Sequence, residues 1–216
     1  MVATSTDAGG GTEIEVGTYL EFYYDYFACG GSNDGTGGTD SGWVIASTYT
    51  DSGLQANQCY SYKVTARDGL SNISATSTAS TTYTSAIVPG TPIITSQTSN
   101  TLTISNDANG NPSSNPTTQF ALQIISSSPT DSVWDSKYID SGGNPSATAV
   151  WLSDAAWDAI TVLGVHPGTQ YQIRAKARNE DGDETAFSNN GSVQTTADSG
   201  ARIRGGVRLK GGVRLH

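Results

Sequence analysis

Residues Leu54 to Asp68 and Val165 to Asn179 carry the same pattern twice. Each runs from an aliphatic residue through a short polar turn to a tyrosine, Tyr60 or Tyr171, then alternates to an alanine six positions later, Ala66 or Ala177. Both tyrosines and both alanines stand 111 residues apart. A spacing of that size is the length of a small domain, and alternation with period two belongs to a strand. The 216-residue chain therefore reads as two units of about 100 residues, each long enough for its own core and each built on the same strand.

Composition agrees with strands. Charged residues make up only 14%, while 25 Gly, ten Tyr and abundant Thr and Ser favour short strands joined by turns. TLTISN (101 to 106), QFALQII (119 to 125), ATAVWLS (147 to 153) and QYQIRAKARN (170 to 179) have strand length and pattern, and turn-rich stretches such as NDANGNPSSNP separate them. The expectation is an all-β protein of antiparallel sandwiches.

Val165-His166-Pro167-Gly168-Thr169-Gln170-Tyr171, followed by alternating residues to Ala177-Arg178-Asn179, resembles the signature of fibronectin type III domains. The resemblance implies an immunoglobulin-like β-sandwich in which Tyr171 is the tyrosine of the corner before strand F, with Trp157, Ile160 and Val162 on or near strand E. Tyr60 takes the same role in the first copy, where Ala56-Asn57-Gln58 replaces Pro-Gly-Thr. Upstream, YLEFYYDYFAC (19 to 29) reads as strand C and DSGWVIASTYTDSGL (40 to 54) as the strands leading to the corner. In this fold strands C and F are neighbours, which brings Cys29 and Cys59 together; the resemblance implies a disulfide there, the alternative being two reduced, buried thiols.

The copies differ at their starts. The second has a strand-like segment, TPIITSQ (91 to 97), ahead of its strand B at Thr101 to Ser105, whereas the first opens at MVATSTDAG, which aligns with that strand B. The expected organisation is a fibronectin type III-like domain lacking strand A at 1–86, a complete one at 87–197, and a tail at 198–216. A sandwich without an edge strand leaves an apolar groove and unpaired backbone groups. Val2, Leu20, Phe22, Tyr24, Tyr60 and Tyr62 are the candidates to line it.

The tail, ARIRGGVRLKGGVRLH, has its own parity. Ile203, Val207, Leu209, Val213 and Leu215 are odd-numbered; Arg202, Arg204, Arg208, Lys210, Arg214 and His216 are even. Successive strand side chains face opposite ways, so this segment has the pattern of a β-strand with one apolar and one cationic face. Fully extended, it reaches roughly 50 Å at about 3.3 Å per residue, and burying its aliphatic side chains contributes on the order of 7 to 15 kcal/mol before ordering costs. The missing strand and the surplus strand together point to β-strand addition: the tail of one molecule completes the first domain of the next. Repeated head to tail, such a contact makes a filament, similar in architecture to donor-strand-complemented surface filaments. The alternatives are that the tail pairs within its own molecule, or that it is a linker.

Charge separates body from tail. The tail holds five of the 11 basic residues, leaving six against 20 acidic ones in residues 1 to 201, a body of about −14. Such a body repels nucleic acid, so no nucleic-acid partner is expected, and no run of about 18 apolar residues spans a membrane. The start, MVATSTDAGGG, has neither a basic nor an apolar signal region, so export implies a processed form; low Lys and two cysteines favour export all the same.

Catalysis is not expected. The histidines are His166, in a turn, and His216, and no nucleophile elbow occurs. Asp107, Asn109 and Asn111, and Asn179, Asp181 and Asp183, place oxygen ligands at alternate positions as calcium loops do, without completing a calcium-loop pattern; Asx turns explain both more simply, and no metal or cofactor is expected. Trp43, Trp134, Trp151 and Trp157 leave room for an exposed sugar platform, and Asn72-Ile73-Ser74 and Asn190-Gly191-Ser192 match the glycosylation sequon. The reading is a structural subunit, extracellular or on the cell surface, whose main partner is itself, with scope for a cell-surface or polysaccharide contact. The rival is a binding or spacer module of a secreted multidomain protein.

Overall fold

The computed structural model describes residues 20–158 and 160–197. Among the described residues, thirteen strands are antiparallel to their neighbours and one four-residue helix interrupts them: β1 Glu21–Phe27, β2 Trp43–Val44, β3 Cys59–Arg67, β4 Ser80–Tyr83, β5 Ile93–Gln97, β6 Thr101–Ser105, β7 Gln119–Ser128, β8 Lys137–Ile139, β9 Pro145–Ser146, β10 Leu152–Ser153, α1 Asp154–Trp157, β11 Thr161–Leu163, β12 Gln170–Arg178 and β13 Gly191–Gln194. The chain is all-β, with the strand order of fibronectin type III-like sandwiches.

The second half is two sheets face to face. One runs β13-β12-β7-β8-β9, with β10 pairing the start of β7; the other runs β11-β6-β5. Alternation builds both: in β6, Leu102 and Ile104 are buried between half-buried Thr101, Thr103 and Ser105. The sheets meet over Leu102, Ile104 and Val162 on one side and Phe120, Leu122, Ile124, Tyr171, Ile173, Ala175 and Ala177 on the other, closed by Trp134, Trp157 and Ile139. Trp157 arrives on α1, capped by the Ser153 hydroxyl, and its indole N–H donates to the Phe120 carbonyl at 2.9 Å. Of ATAVWLS only Leu152–Ser153 pairs as strand, because the chain turns into this short helix to bury Trp157.

The first half repeats one of those sheets, in the order β2-β1-β3-β4. Phe22 stands opposite Ala66 as Phe120 stands opposite Ala177, so β1 and β3 occupy the places of β7 and β12. Among the described residues no second sheet faces it, and its buried apolar cluster is Phe22, Val64 and Ala66. Of the segment expected to lead in strands to the corner, Trp43–Val44 alone is strand; Asp51 gathers the rest into turns by accepting from the Thr39 and Ser52 amides.

β3 and β12 each begin at a tyrosine corner. Tyr60 accepts a hydrogen bond from the Gln55 amide at 2.9 Å, and Tyr171 from the His166 amide at 2.8 Å, each five residues upstream. Cys29 and Cys59 form a disulfide. At the corresponding place in the second half Gln170 faces Ser128.

Candidate functional site

Parity sorts the first sheet into two faces. Phe22, Tyr24 and Tyr26 of β1 stand opposite Ala66, Val64 and Tyr62 of β3, and Ser80 and Thr82 of β4 continue the same face. In the second half this is the face that the β11-β6-β5 sheet covers. In the first, part of it is covered by the glycine-rich loop 30–42: a side chain at Gly35 would collide with the Tyr60 ring, and one at Gly38 with the Tyr26 ring. That close approach is why the loop tolerates no side chain at either position.

Beyond the loop's reach the face opens into a cavity of about 330 Å³, lined by Tyr24, Tyr49, Tyr62, Leu54, Val64 and Asp51 with Ser and Thr hydroxyls at its margin. Tyr49 stacks on Tyr24 at 5.6 Å between centroids and meets Tyr62 edge-on at 6.4 Å. The Tyr62 hydroxyl donates to Asp51 at 2.5 Å. Burial, followed by that bond to a carboxylate, raises the Tyr62 hydroxyl well above the usual tyrosine range. For Asp51, burial acts to raise the carboxyl but is outweighed by bonds from Tyr62, Thr39 and Ser52, which hold it below the usual range. The cavity thus has aromatic walls, an aliphatic floor and one stable negative charge.

Of the residues expected to line a groove, Leu20, Phe22, Tyr24, Tyr60 and Tyr62 lie on or against this face; Val2 lies outside the described residues. So do Arg202, Ile203, Arg204, Val207, Arg208, Leu209, Lys210, Val213, Arg214 and Leu215 of the tail.

The junction between the halves was not legible as a site. Asn57, wholly buried with a positive φ of 48°, donates to the Thr118 hydroxyl at 2.9 Å and accepts from the Glu180 amide at 2.8 Å. Asp181 accepts from the Tyr83 amide at 2.9 Å, Asn179 donates to the Thr84 carbonyl at 3.2 Å, and Gln58 donates to the Asn115 carbonyl at 3.1 Å. The departure from Pro-Gly-Thr at Ala56-Asn57-Gln58 was the signal: that corner holds the next domain.

The calcium-like stretches have structural work. Asp107 accepts from the Asn109 amide and Asn111 binds both backbone groups of Ile87, while Asn179 accepts from the Asp183 amide. Among the described residues no three His, Cys, Asp or Glu side chains gather as a metal site, and no helix is long and apolar enough to cross a membrane. Trp134 and Trp157 are core residues, whereas Trp43 and Trp151 lie half-buried on the sheets' outer faces beneath Arg67 and Arg178. His166 lies 3.3 Å from Asp131, which also accepts from the Tyr171 hydroxyl at 2.7 Å, so the pair belongs to the corner. Asn72 and Asn190 of the sequons are exposed.

The fold class is all-β, of antiparallel sheets packed as fibronectin type III-like β-sandwiches. Among solved structures, the chain is similar to a fibronectin type III domain of human fibronectin type III domain containing protein 3 at 20% identity, TM-score 0.37, covering 54% of this chain and 91% of that one. It is also similar to a two-domain fibronectin type III segment of chicken tenascin at 16% identity, TM-score 0.46, covering 83% and 87%. For the FN1-FN3 domains of chicken CNTN1 the figures are 13% identity, TM-score 0.34, and coverage of 83% and 55%. No family profile and no curated protein matches the chain.

Proposed function

We propose that the chain is the subunit of an extracellular or cell-surface filament that polymerises head to tail, residues 201–216 of one molecule entering the first domain, within 1–86, of the next. The observation that supports the reading is the tyrosine face of β1 and β3, which no second sheet covers among the described residues and whose counterpart in the second half lies beneath a complete three-stranded sheet. An incoming strand with aliphatic side chains at every second position supplies what that face lacks, leaving its cations on the opposite face. The disulfide fits an oxidising compartment.

The test is deletion of residues 201–216, with particle size followed by light scattering and electron microscopy. The expected outcome is monomers from the truncated chain and polymers from the intact one. Val207→Lys with Leu209→Lys gives the same loss with both domains still folded. Polymers that survive the deletion overturn the reading.

A second reading has one observation in its favour. The bonded junction at Asn57, Asn179 and Asp181 suits a stiff spacer or binding module of a secreted multidomain protein. An intact chain that stays monomeric at all concentrations selects it.

A further inference from the structure

Five of the body's six basic residues lie on two strands. Lys63 and Arg67 are on the outer face of β3; Arg174, Lys176 and Arg178 are on the outer face of β12. Lys63 and Arg174 are counterparts in the repeat, as are Arg67 and Arg178. Each cation lies over aromatic rings: Lys63 over Phe27 at 4.5 Å, Arg67 over Trp43 at 4.3 Å, Arg174 over Phe187 at 3.7 Å and Arg178 over Trp151 at 4.7 Å. Lys176 sits within 5.5 Å of Tyr138, Trp151 and Phe187. Stacking of this kind fixes a cation without neutralising it.

The paired strands treat these charges differently. In the first half Glu21 stands opposite Arg67 and bonds it at 2.6 Å, and Asp25 stands opposite Lys63. In the second half the same two positions are glutamines. Gln119 stands opposite Arg178 and accepts from its Nε at 2.7 Å, while Gln123 stands opposite Arg174 and accepts from Nε at 3.0 Å and Nη2 at 2.8 Å. The amides hold the guanidinium groups in place as carboxylates would, yet leave their charge intact. Ala121, between the glutamines, leaves the strand surface low opposite Lys176. Glu184 bonds Lys176 at 2.5 Å; among the described residues neither Arg174 nor Arg178 has a carboxylate partner.

The result is a positive stripe on a body of net negative charge, with the half-buried rings of Trp151 and Phe187 beside it. Arg174 and Arg178 are four residues apart on a strand, about 13 Å, a row that matches a linear polymer better than a single small anion. Duplex or single-stranded nucleic acid, with its dense charge, meets the repulsion of the whole body. Half-buried rings with adjacent amides match the apolar faces and hydroxyls of sugars, and a guanidinium with free N–H groups pairs bidentately with a carboxylate. We propose that the outer face of β7 and β12 is a binding site for an acidic polysaccharide of the uronic-acid class, with Arg174 and Arg178 taking carboxylates. The site is independent of tail-mediated assembly.

Polygalacturonate is the probe, measured against the full chain by calorimetry at low and high salt, with a neutral galactan as reference. The expected result is salt-sensitive binding of polygalacturonate and none of galactan. Gln119→Glu with Gln123→Glu installs the first half's carboxylates and should weaken binding about tenfold or more while leaving the melting temperature unchanged or raised, since Glu21 already pairs this way with Arg67. Arg174→Gln with Arg178→Gln should lose binding to the same degree. Deleting residues 201–216 should leave binding in place; loss of binding there assigns it to the tail and overturns the proposal. So does equal binding by the double glutamate variant, or displacement by polyglutamate at equal carboxylate concentration, which would show a general preference for anionic chains.

Discussion

The two halves share a sheet and differ in what covers it. In the second, β5, β6 and β11 lie over the tyrosine-corner sheet and bury a cluster of sixteen residues; in the first, among the described residues, the buried cluster is three residues and a glycine loop covers the Tyr26 and Tyr60 end. The first half carries a disulfide at the place where the second has Ser128 and Gln170. A small core and a covalent staple go together, because a sheet with little apolar burial needs another source of stability. Among the described residues, one repeat is a closed sandwich, while the other is a single sheet with one face partly covered.

The largest test of that difference is to delete the same aromatic from each half. Phe120→Ala should cost about 3–5 kcal/mol, since Phe120 sits in the middle of the closed core. Phe22→Ala in tail-deleted monomer should cost less than half as much, because its neighbours are few and the face beside them is open. Urea unfolding followed separately for the two halves measures both. Equal costs would mean that the first half is as closed as the second.

The disulfide comes next. Cys29→Ser with Cys59→Ser should remove about 2–4 kcal/mol from the first half alone, and the second half's transition should stay where it was. A loss spread over both transitions would mean that the halves unfold as one unit.

Whether they do depends on Asn57. Asn57→Ala strands the buried Thr118 hydroxyl and removes the partner of the Glu180 amide, for a cost of about 1–3 kcal/mol. The expected signature is a broader distribution of interdomain angles in small-angle scattering, with each half still folded. An unchanged scattering profile would assign the stiffness to the other junction bonds.

How much of this was legible before the structure depends on which residues carried it. The strand pattern of β3 and β12 follows from local alternation and from the repeat, which are sequence properties, whereas the tyrosine corners and the pairing of Cys29 with Cys59 come from the resemblance to fibronectin type III domains. ATAVWLS failed as a strand because Trp157 needs a helical turn to reach the core, a demand set by residues far away in sequence. Asn179 and Asp181 fit an Asx turn or a calcium loop equally, since both use the same oxygens; Asn179 accepts from the Asp183 amide of its own turn, and only the neighbouring half shows that the Tyr83 amide claims Asp181. The glutamines opposite Arg174 and Arg178 were invisible for the same reason, since nothing local says which strand pairs with which.

The smallest expected effect is a pH dependence that separates the two tyrosine–carboxylate pairs. Tyr62 with Asp51 and Tyr171 with Asp131 both have the hydroxyl raised, by burial first and then by the bonded carboxylate. A raised folded value means that the native state keeps its proton where the unfolded chain has lost it, so each pair contributes stability that is present below about pH 10 and declines above it. Asp51, held low, contributes in the opposite sense: its share is present above about pH 4 and is lost as the pH falls further. Tyr62→Phe should therefore flatten the alkaline decline of the first half's melting temperature and leave that of the second, which Tyr171 sets. The half-open cleft around Tyr62 admits water that the closed core around Tyr171 does not, so the slope removed from the first half should be the shallower of the two. A steeper slope for the first half would show its tyrosine face to be the better sealed.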